Sequence, residues 1–317
     1  MRITVLDGYT LNPGDNPWDE IAKLGEFVCH ERTPAELILE RARDADVLLT
    51  NKTPLSAETI AKLAKLKFIG VLATGYNVVD VLAARARGIA VANVPVYGTD
   101  TVAEYVFALL LNFYRQPQFH SELVQQGEWA RSEWSFWRTP LLEAAGRTIG
   151  IVGFGRIGRR VGELAAAFKM KVLAHDLFPG PPPAYPVEWR QMPELFAESD
   201  VVTLHCNLTP ENTGMVNWTL LERMKPTAYL INTSRGQLVN EADLAHALRE
   251  GRLGGAALDV LSIEPIASGN PLLQAPNITL TPHIAWATQS ARARLLQIAA
   301  ENIRAWQRGA PRNVVNA

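Results

Sequence analysis

Residues 148–176 read TIGIVGFGRIGRRVGELAAAFKMKVLAHD, and this stretch decides the fold. Ile149, Gly150, Ile151 and Val152 make a short apolar run of the kind a buried strand carries. Gly153, Gly155 and Gly158 follow at G-x-G-x-x-G spacing, and apolar residues then recur at helical spacing over 157–168. A second apolar run, 172–174, leads into Asp176. Each glycine has its own physical reason. Gly153 permits the tight turn off the strand, Gly155 lets a pyrophosphate approach the backbone, and Gly158 lets the helix lie close to the sheet. The helix start offers unpaired N–H groups and the positive end of a dipole to phosphate. An acid about 20 residues past such glycines is placed to accept from an adenosine ribose 2′-OH, and Asp176 takes that place. The glycine spacing alone is a weak signal. Strand, turn, helix, second strand and terminal acid together predict a dinucleotide site. Asp176 favours NAD(H), because its charge would repel a 2′-phosphate. Arg156, Arg159 and Arg160 read as phosphate-facing or solvent-facing groups, not as a 2′-phosphate clamp.

The rest of the chain sets the frame. Its 317 residues, 48% hydrophobic, suffice for two domains with a core each. The net charge is −1 with acids and bases interspersed, which points to neither nucleic acid nor a membrane surface. Cys29 and Cys206 stand far apart and suggest no disulfide framework and no metal motif, so a reduced cytoplasmic setting is expected. MRITVLDG at the start reads as a strand, not a signal peptide. No apolar run reaches the length of about 18 residues that a membrane span needs.

Strand patterns at 3–6, 47–49, 68–72 and 89–92, with a shorter candidate at 26–28, alternate with helix patterns at 34–43 and 57–66. Ser56 is the expected cap of the second helix. After the glycine stretch the alternation resumes, with strands at 201–205, 229–232, 256–259 and 278–281 and helices at 218–224 and 241–250. Such alternation predicts an α/β chain with parallel sheets covered on both faces. The expected architecture is two doubly wound (Rossmann/flavodoxin-like) domains separated by a cleft. A long apolar helix is predicted over 102–115. A final helix pattern, 288–308, is expected to return to the first domain. That makes 1–97 plus 284–317 a discontinuous substrate domain and 98–283 an inserted NAD-binding domain. Within the inserted domain, 116–142 carries Trp129, Trp134, Phe136 and Trp137, too much aromatic surface to leave in water. It reads either as a satellite of the core or, preferably, as the interface of a homodimer.

Three further pieces could carry chemistry. INTSRG, residues 231–236, places Arg235 just past an apolar strand, where open α/β sheets bind ligands. Its planar fork suits a carboxylate, although a surface arginine paired with an acid would look the same. Asp259 and Glu264 follow the next strand, and each alone would pass for a loop residue. His283, one of six histidines, lies just past the last strand in TPHIAW, where a structural histidine is also common. An anion binder, a carboxylate and an imidazole together suit proton-coupled chemistry on a carboxylate-bearing substrate.

These motifs identify a resemblance. GIVGFGRIGRRVGELAAAFKMKVLAHD, INTSRGQLVNEADLAHAL, ALDV with Glu264-Pro265, and TPHIAWAT together resemble the D-isomer-specific 2-hydroxyacid dehydrogenases over nearly the whole chain. The resemblance implies that Arg235, Glu264 and His283 are the catalytic set. Arg235 would bind the substrate carboxylate and polarise the C2 carbonyl. His283 would exchange a proton with its oxygen. Glu264 would orient the ring and favour its protonated form. It also implies that the backbone N–H groups of Thr74 and Gly75 hold the substrate carboxylate, and that Lys52 and Trp286 border the substrate. Thr101, Ile157, Pro210, Thr233, Asp259 and Ala285 join Gly153, Gly155, Arg156, Gly158 and Asp176 as implied NAD contacts. Within the family, TNKTPL, LATGYNVVD, SFW and HIAWA are most similar to glycerate dehydrogenases, also called hydroxypyruvate reductases. A short 2-keto or 2-hydroxy acid, hydroxypyruvate or glyoxylate, is the substrate this implies, and no metal is required. Glu264 separates the chain from the formate dehydrogenase branch, which has glutamine there. The alternative from another class is an NAD(H)-sensing interaction protein on the same fold, similar to corepressors that keep these residues.

Overall fold

The computed structural model describes residues 1–317. The chain divides into two compact units, Met1–Gly98 with Trp286–Ala317, and Thr99–Ala285. Each is a parallel sheet with helices between its strands.

In the first unit β1 (Arg2–Val5), β2 (Glu26–Cys29), β3 (Val47–Thr50), β4 (Phe68–Val71) and β5 (Ala90–Ala92) stand in the order β2-β1-β3-β4-β5. All pairs are parallel. β3 and β4 are buried on both faces, which is why they read as unbroken apolar runs. Ser56 caps the helix Ala57–Lys62 by accepting from the Thr59 N–H. The final helix, Gln289–Gln307, returns to this unit and buries Ala291, Leu295, Leu296, Ala299 and Ile303 against Ile3, Val5, Val47 and Phe68. Arg292 pins its start, reaching the two carboxylate oxygens of Asp15 at 2.6 and 2.7 Å.

The second unit holds β6 (Thr148–Val152), β7 (Lys171–His175), β8 (Glu188–Trp189), β9 (Val201–Leu204), β10 (Tyr229–Asn232), β11 (Gly255–Leu258) and β12 (Ile278–Leu280). Their order is β12-β11-β10-β9-β6-β7-β8, again parallel throughout. Chain direction across the sheet reverses between β6 and β9, so the glycine turn at the end of β6 lies at the switch point where such sheets bind ligands. Several short elements escaped the sequence reading, among them the helices Asp19–Ala22 and Val81–Ala86 of the first unit and two elements here. β8 is only two residues long, and the helix Met192–Glu198 is too short for a clear period. Ile284 and Ala285 stay with this unit because their N–H groups donate to Asp259.

The aromatic segment did not become a core satellite. Trp129, Trp134 and Trp137 remain 54%, 79% and 64% exposed in the single chain. No helix is long and apolar enough to cross a membrane.

Candidate active site

The glycine turn has the geometry a dinucleotide needs. Gly153 has φ +91°, a left-handed conformation that suits glycine, and a Cβ there would press 2.6 Å from the His205 carbonyl carbon. Gly155 caps the helix Arg156–Ala167, and a Cβ on it would meet nothing within 4 Å. One glycine is therefore required by close packing and the other faces open space above a helix N-terminus, as a phosphate cradle demands. Ile157 is half-buried in the first turn of this helix, and Arg156 is exposed. Thr233, just past β10, has a buried hydroxyl with no partner in the chain, a second sign of a polar ligand. The residues present fit a dinucleotide.

Asp176 follows β7 and is half-buried. Its Oδ2 accepts the Phe154 N–H at 2.6 Å and its Oδ1 the Phe178 N–H at 2.8 Å. The carboxylate thus ties the glycine turn to the end of the second strand, and it retains lone pairs for a ribose hydroxyl. Arg159 has partners in its own unit. It is half-buried, lies 5.1 Å over the Phe154 ring and donates to the Pro181 carbonyl at 2.7 Å. Arg160 pairs with Asp100 and Glu163. Thr101 is buried in the first turn of the helix Thr99–Arg115, and Pro210 opens a short 3-10 turn past β9.

Arg235, Glu264 and His283 follow the ends of β10, β11 and β12. His283 Nδ1 lies 2.7 Å from Glu264 Oε2, and Glu264 Oε1 accepts the Leu261 N–H at 3.1 Å. Both side chains are about one-third exposed or less, at 27% and 33%. A carboxylate can only accept, so Nδ1 carries the proton shared with Glu264. Arg235 Nη1 donates to the Ser234 carbonyl at 2.7 Å, which holds the guanidinium near its own loop. Gly236 brings that loop against the next, because a Cβ there would overlap the Leu261 backbone. Gln237 seals the contact by donating to the Ser262 carbonyl at 3.0 Å.

Asp259 has a role that the sequence did not reveal. It is 1% exposed. Oδ1 accepts the Thr281 hydroxyl at 2.6 Å and the Ile284 N–H at 2.9 Å, and Oδ2 accepts the Ala285 N–H at 2.8 Å. Its carbonyl accepts the His283 N–H at 2.8 Å. His283 sits at φ 56°, a left-handed conformation uncommon for a side chain of this size. The ring of bonds around Asp259 is what holds it there.

In the first unit, Lys52, Thr74 and Gly75 all follow strand ends. The buried Asp7 carboxylate accepts the N–H groups of Asn51, Lys52 and Thr53 at 2.8, 2.5 and 2.6 Å, presenting Lys52 outward. Thr74 donates its hydroxyl to the Val94 carbonyl at 2.9 Å and its carbonyl accepts from Asn93 at 2.7 Å. What that loop can still offer a ligand is its backbone N–H groups. Trp286 belongs to this unit too, packed edge-on to Tyr97 with ring centroids 6.1 Å apart. Asp7 and Asn93 were not singled out from sequence. Their only signal was a polar residue at the end of an apolar strand.

A glycine-cradled dinucleotide site, with a histidine–carboxylate pair and an arginine past neighbouring strands of the same sheet, defines a nicotinamide-dependent oxidoreductase. Residues 107–285 match the model of the D-isomer specific 2-hydroxyacid dehydrogenase NAD binding domain. A hydroxypyruvate reductase of Blautia hydrogenotrophica is 46% identical over 323 aligned residues, covering all of both chains. A glycerate dehydrogenase of Methylorubrum extorquens is 40% identical over 90% of each chain. Among solved structures, an NADPH-dependent glyoxylate/hydroxypyruvate reductase of Sinorhizobium meliloti, in complex with NADP and malonate, superposes with a TM-score of 0.82. It is 30% identical over 99% of this chain and 96% of its own. The chain belongs to the D-isomer-specific 2-hydroxyacid dehydrogenase family. These relatives are named as dehydrogenases or reductases, which favours an enzyme over the sensing alternative.

Two groups at the end of β9 complete the electrostatics. Burial pushes the Cys206 thiol up to about 11, so it stays protonated and unreactive. Burial pushes the His205 imidazole, whose Nε2 lies 2.9 Å from the Thr203 hydroxyl, down to about 3. Its folded pKa lies below the ordinary value of 6.5, so its contribution to stability is intact above that pH. The contribution is lost as the pH falls from there toward about 3, where the unfolded chain takes up the proton and the folded one does not. Urea denaturation at pH 7.5, 6 and 5 should show stability falling by up to about 1.4 kcal/mol per unit on this account. His205→Gln should flatten that fall; parallel curves for the two proteins would mean that His205 does not set it.

Proposed function

We propose that the chain reduces hydroxypyruvate, and also glyoxylate, to D-glycerate and glycolate with NADH as the reductant. The observation that carries the reading is the 2.7 Å His283–Glu264 contact on a loop anchored by Asp259. The 46% identity to a hydroxypyruvate reductase over the full chain supports the substrate class. When bound, the nicotinamide supplies a hydride to C2. Arg235 binds the substrate carboxylate and polarises the C2 carbonyl. His283 delivers a proton from Nε2 to the carbonyl oxygen, so that hydride and proton together convert the ketone to an alcohol. Glu264 holds the ring through Nδ1 while the proton leaves the other nitrogen. Thr74 and Gly75 bind the carboxylate through backbone N–H groups, with Lys52 and Trp286 bordering the substrate. Gly155 and the helix start hold the pyrophosphate. Thr101, Arg156, Ile157, Pro210, Thr233 and Ala285 complete the cofactor contacts, with Asp259 acting through the loop it anchors. In this reading the first unit is the substrate domain, the second binds NAD, and the protein works in the cytoplasm.

Mixing the protein with NADH and hydroxypyruvate should consume NADH, and His283→Ala should lower kcat by about 100-fold or more while leaving the NADH Kd within about twofold. Unchanged kcat would remove His283 from proton transfer, and tight NADH binding without turnover of any short 2-keto acid would favour a sensor. Asp176 decides the nucleotide: Asp176→Ala should weaken NADH and narrow the preference over NADPH by about tenfold, the worth of a charged hydrogen bond. If the ratio of the two kcat/KM values stays fixed, Asp176 is not the ribose reader.

The exposed tryptophans carry the last part of the proposal. Trp129, Trp134 and Trp137 would be covered by a second copy of the chain, giving a homodimer. Light scattering should give twice the 34.9 kDa chain mass. Trp134→Glu with Trp137→Glu should shift it toward the monomer, whereas a monomeric parent would refute the interface.

A further inference from the structure

A ladder of amide groups crosses the first unit from the 313–316 segment to the loop after β4. Asn313 Nδ2 donates to Asn302 Oδ1 at 2.8 Å, and Asn302 Nδ2 donates to the Asn93 carbonyl at 2.9 Å. Asn93 Nδ2 in turn donates to the Thr74 carbonyl at 2.7 Å. The Asn93 N–H closes the ladder by donating to the Asn313 carbonyl at 3.1 Å. Asn302 and Asn93 are 3% and 8% exposed, so the central bond between them is made away from water, and each outer bond has one buried partner. A buried polar group left unmatched costs more than a made bond gains, so each member constrains the next. The segment at the far end is itself held. Val314 bridges to Ala92, the Val315 N–H donates to the Val91 carbonyl at 2.9 Å, and Asn316 holds the same edge of the strand by accepting from the Val91 N–H and donating to the Ile89 carbonyl, both at 2.8 Å.

We infer that Asn302 and Asn93 are positioning residues for substrate binding, transmitting the docking of residues 313–316 on β5 to the backbone of Thr74 and Gly75. The inference rests on the reading that this loop holds the substrate carboxylate. The ladder's output is the Thr74 carbonyl, and the Thr74 hydroxyl is anchored separately on Val94. With both groups fixed, the direction of the following N–H groups is fixed as well. A carboxylate bound by such groups is sensitive to small errors in their aim. Asparagine is the side chain the ladder requires at Asn302, because it must accept from one neighbour and donate to the next. Aspartate has the same shape and keeps the acceptor, yet it faces the Asn93 carbonyl with a second acceptor.

Asn302→Asp is therefore the test, with Asn302→Gln as the variant that restores both hydrogen-bonding groups. Asn302→Asp should raise the KM for hydroxypyruvate by about three- to tenfold, the worth of one lost hydrogen bond, with kcat and the NADH Kd within about twofold. Deuterium uptake at residues 73–77 should quicken in the same variant, and Asn302→Gln should recover part of both changes. A lower Tm with KM and uptake unchanged would reduce Asn302 to a packing residue and overturn the inference. Thr74→Pro, which removes one of the loop's N–H groups, separates the two readings. If it raises KM while Asn302→Asp does not, the ladder fails and the substrate loop stands. If uptake quickens in Asn302→Asp while neither variant moves KM, the loop does not bind substrate and both readings fall.

Discussion

The loops past β10 and β12 hang on a single buried carboxylate. Asp259 stands immediately past β11, and its acceptors take up the Thr281 hydroxyl and the N–H groups of Ile284 and Ala285. Its own N–H donates to the Asn232 carbonyl at 2.9 Å, and Asn232 orders the Arg235 loop by bonding the Ser234 N–H and the Arg235 carbonyl. One residue thus connects the end of β10 to the loop past β12. The left-handed backbone of His283 is affordable only because bonds on both sides of it are made to this one group. Hydrogen bonds to a charged acceptor contribute about 1.5–3 kcal/mol each, enough together to offset a strained residue.

The same device recurs at two other strand ends. Asp7 collects three successive N–H groups past β3, and Asp176 collects those of Phe154 and Phe178. In a parallel sheet every strand finishes on the same edge, and the loops that leave it carry N–H groups that the ladder cannot satisfy. A carboxylate accepts at both oxygens and donates nothing, so it can gather several such groups at once. Loops tied down in this way present Lys52, Gly155 and His283 from rigid supports. Open α/β sheets place ligands at this edge, and here the edge is ordered by its own acids before any ligand contributes.

The fold was legible where apolar runs were long and their boundaries were marked. The glycine turn, the strands at 149–152 and 229–232 and the returning helix all announce themselves by period and by cap. The two-residue β8 and the helix Met192–Glu198 do not, because neither is long enough to show a repeat. In the candidate site, the residue types that do chemistry stood out because they are scarce and follow apolar runs. Their supports did not. Asp259 reads from sequence as a ligand contact, and nothing local in the sequence shows the bonds by which it also anchors the loop past β12. Asn93, Asn302 and Asp7 read as ordinary polar residues, since hydrogen bonding over more than 200 positions, as between Asn302 and Asn93, leaves no local pattern. The partners of Arg159, the Phe154 ring and a carbonyl on the proline-rich loop, were invisible for the same reason.

The choice of aspartate at 259 follows from counting donors. Three groups converge on its side chain, two of them backbone N–H groups that cannot turn away. An asparagine of the same shape would set its NH₂ against at least one of them, and rotating the amide would only move the conflict to the other oxygen's partners. A buried clash of two donors costs more than the loss of one bond. The carboxylate is therefore required by the loop's own backbone, independently of any charge a bound nucleotide brings. That separates two demands often merged in one residue. Asp259 holds the loop's shape, whereas His283 and Glu264, the pair proposed for proton transfer, keep side chains partly open to solvent.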